Sequence, residues 1–281
     1  MPPLVLAGAI SVHAALEAGR REVKTVYLQK EKSIRNSGAI RKLAASTGIP
    51  IEEAEGARID ELVGGTHHGG VAALVGERKY QNLDELIHPL LSRARPERAA
   101  SSGDEGGGQG VGSKDPFIAM LDGVEDPYNF GQAIRALYAA GADGLVVPDR
   151  NWDTALAVVT RASAGASEYM PTARVAEAKE AIAFFKTHGF RIAATAKEKN
   201  SKSIYAVDLH GPLFMLIGGE RRGLTAADLA SCDILLSIPY GRAFKAELDV
   251  TSATAVLAFE AMRQRVWPQR IRRQTLSKKT E

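Results

Sequence analysis

The stretch LIGGERRGLT, residues 216–225, sets Gly218, Gly219, Glu220 and Gly223 between an apolar run and the start of a helix. A strand that opens into a glycine loop brings bare backbone close to a ligand. The spacing from Gly218 to Gly223 is that of a phosphate loop, G-x-x-x-x-G, which continues with Lys and then Ser or Thr. Here Leu224 and Thr225 follow instead. Without that lysine, and with a carboxylate inside the loop, a polyphosphate loses its main counter-charge. No G-x-G-x-x-G for a dinucleotide is present either. A neutral or cationic ligand held by main-chain groups fits better, and S-adenosylmethionine, a sulfonium, is one. The alternative is a tight turn at φ > 0 with Glu220 in solvent.

Other stretches hold polar residues at telling spacings. In YNFGQAIRALYAAG, Asn129 stands where a helix N-cap belongs, with Gln132 three residues on as in a capping box. Phe130, Ile134 and Leu137 form the helix's apolar stripe, and Arg135 lies beside it. On structural grounds alone, Asn129 is a cap and Arg135 a surface or interface arginine. Ser163, in TRASAGASEYMP, reads equally as a site residue near Asn129 or a helix-end serine. His67 and His68 precede two glycines with no acidic or Cys partner at ligand spacing, which favours a turn or an RNA contact over metal. Cys232 is flanked by apolar residues without basic neighbours to lower its pKa, so it reads as a buried, inert thiol.

The elements that must position these residues alternate. FIAML (117–121), GLVVP (144–148), FRIAAT (190–195), LFMLIG (213–218) and ILLSIP (234–239) are short apolar runs of the kind found in buried parallel strands. Helical patterns lie between them, several closed by Gly, and a last helix runs from about Val250 to Gln264. This alternation predicts a doubly wound α/β domain over 116–266, with its ligand at the carboxyl ends of the strands. Residues 1–92 read as a small α/β domain. SVHAALEAG is a helix closed by Gly19, TVYLQ a strand, SGAIRKLAASTG a helix capped by Ser37 and ended by Gly48, and GVAALVG a strand. Between the domains, 93–115 is poor in apolar residues and rich in Gly, Ser and charge, which predicts a flexible linker. Residues 267–281 form a basic tail.

Composition sets the outer bounds. The 281 residues, 45% hydrophobic and 25% charged, suffice for two modest domains. No apolar run reaches the roughly 18 residues of a spanning helix, and the start lacks a signal peptide's basic segment. A single cysteine excludes a disulfide framework and a multi-Cys zinc site. A cytoplasmic location is expected. The net charge is only +3, but Arg20, Arg21, Lys24, Lys30, Lys32, Arg35, Arg41 and Lys42 cluster against Glu22 and Glu31. Such a cluster suits RNA, although a solvated helix face would carry the same charges.

Three segments in register add a resemblance. LDGVEDPYNFGQAIRALYAAGADGLVVP (121–148), FMLIGGERRGLTAADLASCDILLSIPY (214–240) and AELDVTSATAVLAFEAMRQ (246–264) resemble the three motifs of the SpoU-type, or TrmH-like, RNA 2′-O-ribose methyltransferases. The N-terminal part is similar to the small RNA-binding domain many members carry. The resemblance implies an S-adenosylmethionine-dependent enzyme with a trefoil knot, working on ribosomal or transfer RNA and usually as a homodimer. It implies cofactor contacts, mostly through main chain, around Leu216, Gly218, Gly219, Glu220, Ile238 and Leu248. It also implies catalytic roles for Asn129, Arg135 and Glu220. Arginine's pKa lies above about 12, so a phosphate clamp suits Arg135 better than a general base. The third motif departs from the family's Ser-Leu-Asn-Val-Ser: this chain has Glu247-Leu248-Asp249-Val250-Thr251. Asp249 offers only acceptors where Asn offers both kinds of group. It is therefore a conservative helix cap, a sign of a weakened site in a non-catalytic RNA-binding protein, or itself the base.

Overall fold

The computed structural model describes residues 4–34, 36–93, 115–149, 155–219 and 224–277, apart from the side chains of Arg93 and 266–277. The expected linker (93–115) therefore lies almost wholly outside the described residues, as do Glu220 and the side chains of the basic tail. In chain order the elements begin β1 (Leu4–Ala7), α1 (Ala9–Ala18), β2 (Arg21–Gln29), α2 (Ser37–Thr47), β3 (Ile51–Ala54), α3 (Gly56–Val63), β4 (Val71–Arg78) and α4 (Leu83–Arg93). They continue β5 (Phe117–Asp122), α5 (Pro127–Ala139), β6 (Gly144–Pro148), α6 (Leu156–Ala162), α7 (Ala166–Tyr169), β7 (Thr172–Val175) and α8 (Ala178–Thr187). Last come β8 (Arg191–Thr195), β9 (Lys202–Ser203), β10 (Leu213–Gly218), α9 (Ala226–Ala230), β11 (Ile234–Ser237) and α10 (Val250–Ser277). Among the described residues, no helix is long and apolar enough to cross a membrane.

Two compact units result, and the first is assembled from three stretches of chain: Met1–Tyr80, Glu125–Arg135 and Arg150–Met170. Its sheet has the order β1-β4-β2-β3, antiparallel except for the β2–β3 pair. Strand alternation divides the apolar residues between two faces. Leu6, Val26, Leu28, Val71 and Val75 pack with Val12 and Leu16 of α1, Ile40 of α2 and Leu156 of α6, while Tyr27 and Ala72 pack with Ile59 of α3. Gly19 (φ 62°) and Gly48 (φ 69°) close α1 and α2 in the left-handed region, as the sequence predicts. Ser37 is not the cap expected of it: Asn36 holds that position, without a side-chain hydrogen bond, and Ser37 is the first helical residue. The two histidines lie in the turn before β4. His68 is buried, accepts from the Gly70 N–H at Nδ1 (3.0 Å) and meets Asp60 through Nε2 (2.7 Å).

The second unit holds a seven-stranded, wholly parallel sheet of order β7-β6-β5-β10-β8-β11-β9. All five predicted strands are in it. The two additions are edge strands: β7 alternates Thr172 and Arg174 with Ala173 and Val175, and β9 has only 2 residues, so neither forms an apolar run. On one face Ile118, Met120, Val146, Ile192, Phe214 and Leu216 pack with Leu86 and Ile87 of α4 and Ile182 and Phe185 of α8. On the other, Arg265 of α10 lies over the Phe117 ring, 5.9 Å from its centroid. Helices on both faces make the sheet doubly wound. The last helix runs past the Gln264 expected as its end, on to Ser277. It is anchored midway: Gln264 donates to Val207 O and accepts from Leu209 N–H, and Arg265 donates to Leu209 O and Gly211 O.

Candidate active site

Because every strand of the large sheet is parallel, the carboxyl ends of β8, β10 and β11 meet on one edge. A cavity of about 700 Å³ opens there, within the range of small-molecule sites. Its walls come from Thr195–Lys197 after β8, Ile217–Gly219 at the end of β10, Leu236–Ile238 at the end of β11, and Glu247–Val250 with Ala253 and Leu257 leading into α10. Gly218, Gly219, Ile238, Leu248 and Asp249, singled out in the sequence, are thus brought together. Leu216 is fully buried with its side chain in the core on the α8 side, and the lining begins one residue later at Ile217.

The paired glycines have a sharper cause than ligand access alone. A Cβ on Gly219 would lie 2.0 Å from the Gly123 carbonyl oxygen and 2.7 Å from the Val124 nitrogen. Backbone crosses backbone here, and the Gly219 N–H donates to Asp122 O at 2.6 Å. Gly218 N–H donates to the Thr195 hydroxyl at 3.3 Å, which ties the end of β10 to that of β8. Asp122 is half-buried with its carboxyl pKa raised, first by burial and then by the nearby Asp228 carboxylate. Thr225, just beyond the loop, caps α9 in a reciprocal box with Asp228.

Asp249 caps α10. Its carboxylate accepts from Ser252 N–H (2.9 Å) and Ser252 Oγ (2.7 Å), and these hydrogen bonds hold its pKa below the ordinary value. A carboxylate so engaged is a weaker proton acceptor than a free one. Immediately before it, Leu248 N–H donates to the Tyr240 hydroxyl at 2.9 Å. Lys197 and Glu247 form an exposed pair across the rim at 3.8 Å. Among the described residues, the cavity walls carry Lys197, Glu247 and Asp249 on an otherwise largely apolar lining.

Asn129 and Arg135 lie on α5 within the first unit. The capping expectation for Asn129 is corrected: Asp126 Oδ1 accepts the Asn129 N–H at 2.7 Å, so Asp126 is the cap, Pro127 the first helical residue, and Asn129 sits a turn inside. The Asn129 carboxamide is thereby released from capping. Phe130, Ile134 and Leu137 are buried as the stripe predicts, while Arg135 is exposed and, among the described residues, makes no hydrogen bond or ion pair. A Cβ on Gly131 would meet Val159 O at 2.6 Å and the Ala162 Cβ at 2.7 Å, so α5 lies directly against α6. Ser163 is buried and internally engaged, its hydroxyl donating to Thr160 O (3.0 Å) and lying 3.1 Å from that of Ser167. Cys232 donates to Asp228 O, and burial pushes its thiol up to about 11.

Sequence reasoning missed Asp126, Thr195, Lys197 and Tyr240. Aspartate followed by Pro127 is a recognisable helix start, and Thr195 ends the run FRIAAT, whose carboxyl end the sheet rule already marks.

With this geometry in hand, comparison with known proteins is decisive. Residues 116–259 match the model of the SpoU rRNA methylase family, and residues 5–81 match that of the RNA 2′-O ribose methyltransferase substrate-binding domain. The chain belongs to the SpoU rRNA methylase family. As a member it is an RNA 2′-O-methyltransferase, with S-adenosylmethionine as methyl donor. A 23S rRNA (guanosine-2′-O-)-methyltransferase, RlmB, of Pseudomonas putida is 31% identical over 258 residues, 92% of this chain and 95% of its own. The enzyme of the same name in Shewanella oneidensis is 30% identical over 264 residues, 93% of this chain and 97% of its own. Among solved structures, the SpoU methyltransferase AviRb from Streptomyces viridochromogenes in complex with the cofactor AdoMet superposes with a TM-score of 0.70 at 23% identity, over 94% of this chain and 91% of that one. That likeness concerns the fold. The SpoU methylase's own cavity suits the donor: apolar walls for an adenosyl group and bare backbone at Gly218 and Gly219.

Proposed function

We propose that this SpoU methylase modifies a ribose 2′-hydroxyl of ribosomal RNA, with a guanosine of 23S rRNA, the substrate named for its relatives, as the first candidate. The observation that carries the reading is the cavity at the carboxyl ends of the parallel strands, where Gly218, Gly219, Ile238 and Leu248 converge. Leu216, Gly218, Gly219, Glu220, Ile238 and Leu248 hold the donor, chiefly through main-chain groups. S-adenosylmethionine supplies the methyl group. The chain's part is to grip and align: Arg135 clamps the phosphate next to the target ribose and stabilises negative charge developing on its 2′-oxygen, while Asn129 orients that ribose. Glu220 orients the glycine loop. Asp249 keeps the Leu248–Val250 turn in shape by capping α10, as the family's asparagine would, so its presence gives no reason to favour a non-catalytic RNA-binding protein.

Residues 1–92 bind RNA, 93–115 link, 116–266 form the donor-binding and catalytic domain, and 267–281 add basic charge. Insertion of β10 between β5 and β8, and of β11 between β8 and β9, supports a trefoil-knotted chain end. A homodimer in the cytoplasm completes the proposal. The test is calorimetric titration with S-adenosylmethionine, followed by mapping of 2′-O-methyl sites in RNA from cells with and without the protein. One ribosomal site lost without the protein is the expected result; an unchanged map together with no donor binding refutes it.

A further inference from the structure

Glu168 centres a buried cluster that the methyl-transfer chemistry does not use. Its carboxylate accepts two hydrogen bonds from Arg21, from Nε at 2.7 Å and Nη2 at 3.0 Å, and both side chains are only 1% exposed. Arg21 also donates to Gly76 O at 3.1 Å. Arg78 lies 3.8 Å from the same carboxylate and donates to Met170 O at 2.6 Å. Arg20 Nε donates to Tyr169 O at 3.2 Å. Burial pushes the Arg78 guanidinium down to about 10 despite the pull of Glu168. Three arginines, Arg21 and Arg78 of the N-terminal sheet and Arg20 just before β2, thus hold residues 168–170, which belong to the methylase match. Apolar residues of the same volume would stabilise such a contact equally well. A fork of two parallel hydrogen bonds gives something they cannot, a fixed angle and register.

The held segment continues to α5. A Cβ on Gly165 would lie 2.7 Å from the Ala14 Cβ, Leu156 joins the core of β1 and α1, and Gly131 sets α5 against Val159 and Ala162. Sheet, α7, α6 and the half of α5 bearing Asn129 and Arg135 therefore form one compact unit. We infer that Glu168 is a positioning residue: with Arg21 and Arg78 it fixes the substrate-binding sheet in one register against α5, so that RNA held by the sheet meets Arg135 already aligned. The inference rests on the methyltransferase reading above.

The test uses full-length protein and an RNA substrate. Glu168→Gln keeps the side-chain shape but removes the negative charge that faces Arg21 and Arg78. The expected result is a KM for RNA raised tenfold or more, a smaller change in kcat, and a dissociation constant for S-adenosylmethionine within twofold of wild type. A merely structural role would lower the folded fraction and leave KM for RNA unchanged, and a folded variant with wild-type KM overturns the proposal. If Glu168→Gln does not accumulate as folded protein, hydrogen exchange on the wild type decides. Amides of 156–169 should exchange in one cooperative step with those of β2 and β4, and independent exchange overturns the inference. Should wild-type protein methylate no RNA, the enzymatic reading fails, and the exchange experiment still judges the clasp separately.

Discussion

Gly219 passes so close to Gly123 that no side chain fits between them: an added Cβ would stand 2.0 Å from a carbonyl oxygen that belongs to rigid backbone. The relationship joins the first and second sequence motifs, which lie almost a hundred residues apart. Gly219→Ala must therefore push the loop away from the end of β5. The expected cost is about 3 kcal/mol or more, with loss of S-adenosylmethionine binding. Thermal unfolding and calorimetry measure the two effects, and a variant that binds normally would show that the crossing can relax.

Asn129 and Asp126 divide two tasks that the sequence assigns to one residue. Asp126→Ala removes the cap of α5 and should cost about 1 kcal/mol. Asn129→Ala should cost less than about 0.5 kcal/mol, since its side chain caps nothing, yet depress methyl transfer strongly. Denaturant melts beside single-turnover assays separate the effects. The opposite pattern would return Asn129 to a structural role.

Arg135 is exposed, as the proposed phosphate clamp requires. Arg135→Ala should lower kcat by roughly a hundredfold or more, the scale of losing one preorganised charge stabiliser. Arg135→Lys should recover little of it, because a lysine lacks the planar fork. Near-normal lysine turnover that climbs with pH would favour proton abstraction over clamping.

Asp249 predicts a pH effect of definite sign. Its pKa is lowered in the folded protein by hydrogen bonds from Ser252, so the cap contributes fully above the unfolded value near 3.8 and is lost as pH falls through the lower folded value. Asp249→Ala should cost about 1 kcal/mol and weaken donor binding, whereas Asp249→Asn should match wild type. Helix content and donor affinity followed between pH 6 and 3 check this.

Cys232 should be inert. With its thiol pushed up to about 11 by burial, reaction with a thiol reagent at pH 8 should be far slower than for a free cysteine, and Cys232→Ala should retain methyl transfer. Rapid modification that abolishes activity would contradict the geometry.

The large sheet was legible in the sequence because buried parallel strands are continuous apolar runs, and all five appear where those runs lie. β7 and β9 escaped because the first interrupts its apolar residues with Thr172 and Arg174 and the second has only 2 residues. Gly218, Gly219, Ile238, Leu248 and Asp249 share a cavity, as motif order suggests, since loops at one end of parallel strands must converge. Thr195 stood at a marked strand end, whereas Tyr240 shows its part only when the chain folds back to bring Leu248 N–H onto its hydroxyl, which local spacing does not encode. The cap of α5 lies three residues before the expected Asn129, because Asn129 and Asp126 both have capping side chains and Pro127, a favoured first helical residue, decides for Asp126.

The arginines of β2 and β4 also bear on how the polypeptide is made. Arg21 is buried with its counter-charge 147 residues further along the chain. A ribosome releases the whole N-terminal sheet long before Glu168 emerges, and until then a guanidinium cannot be sealed in the interior without heavy cost. Synthesis must leave that end of β2 and β4 hydrated and loose, and its closure awaits the second half of translation.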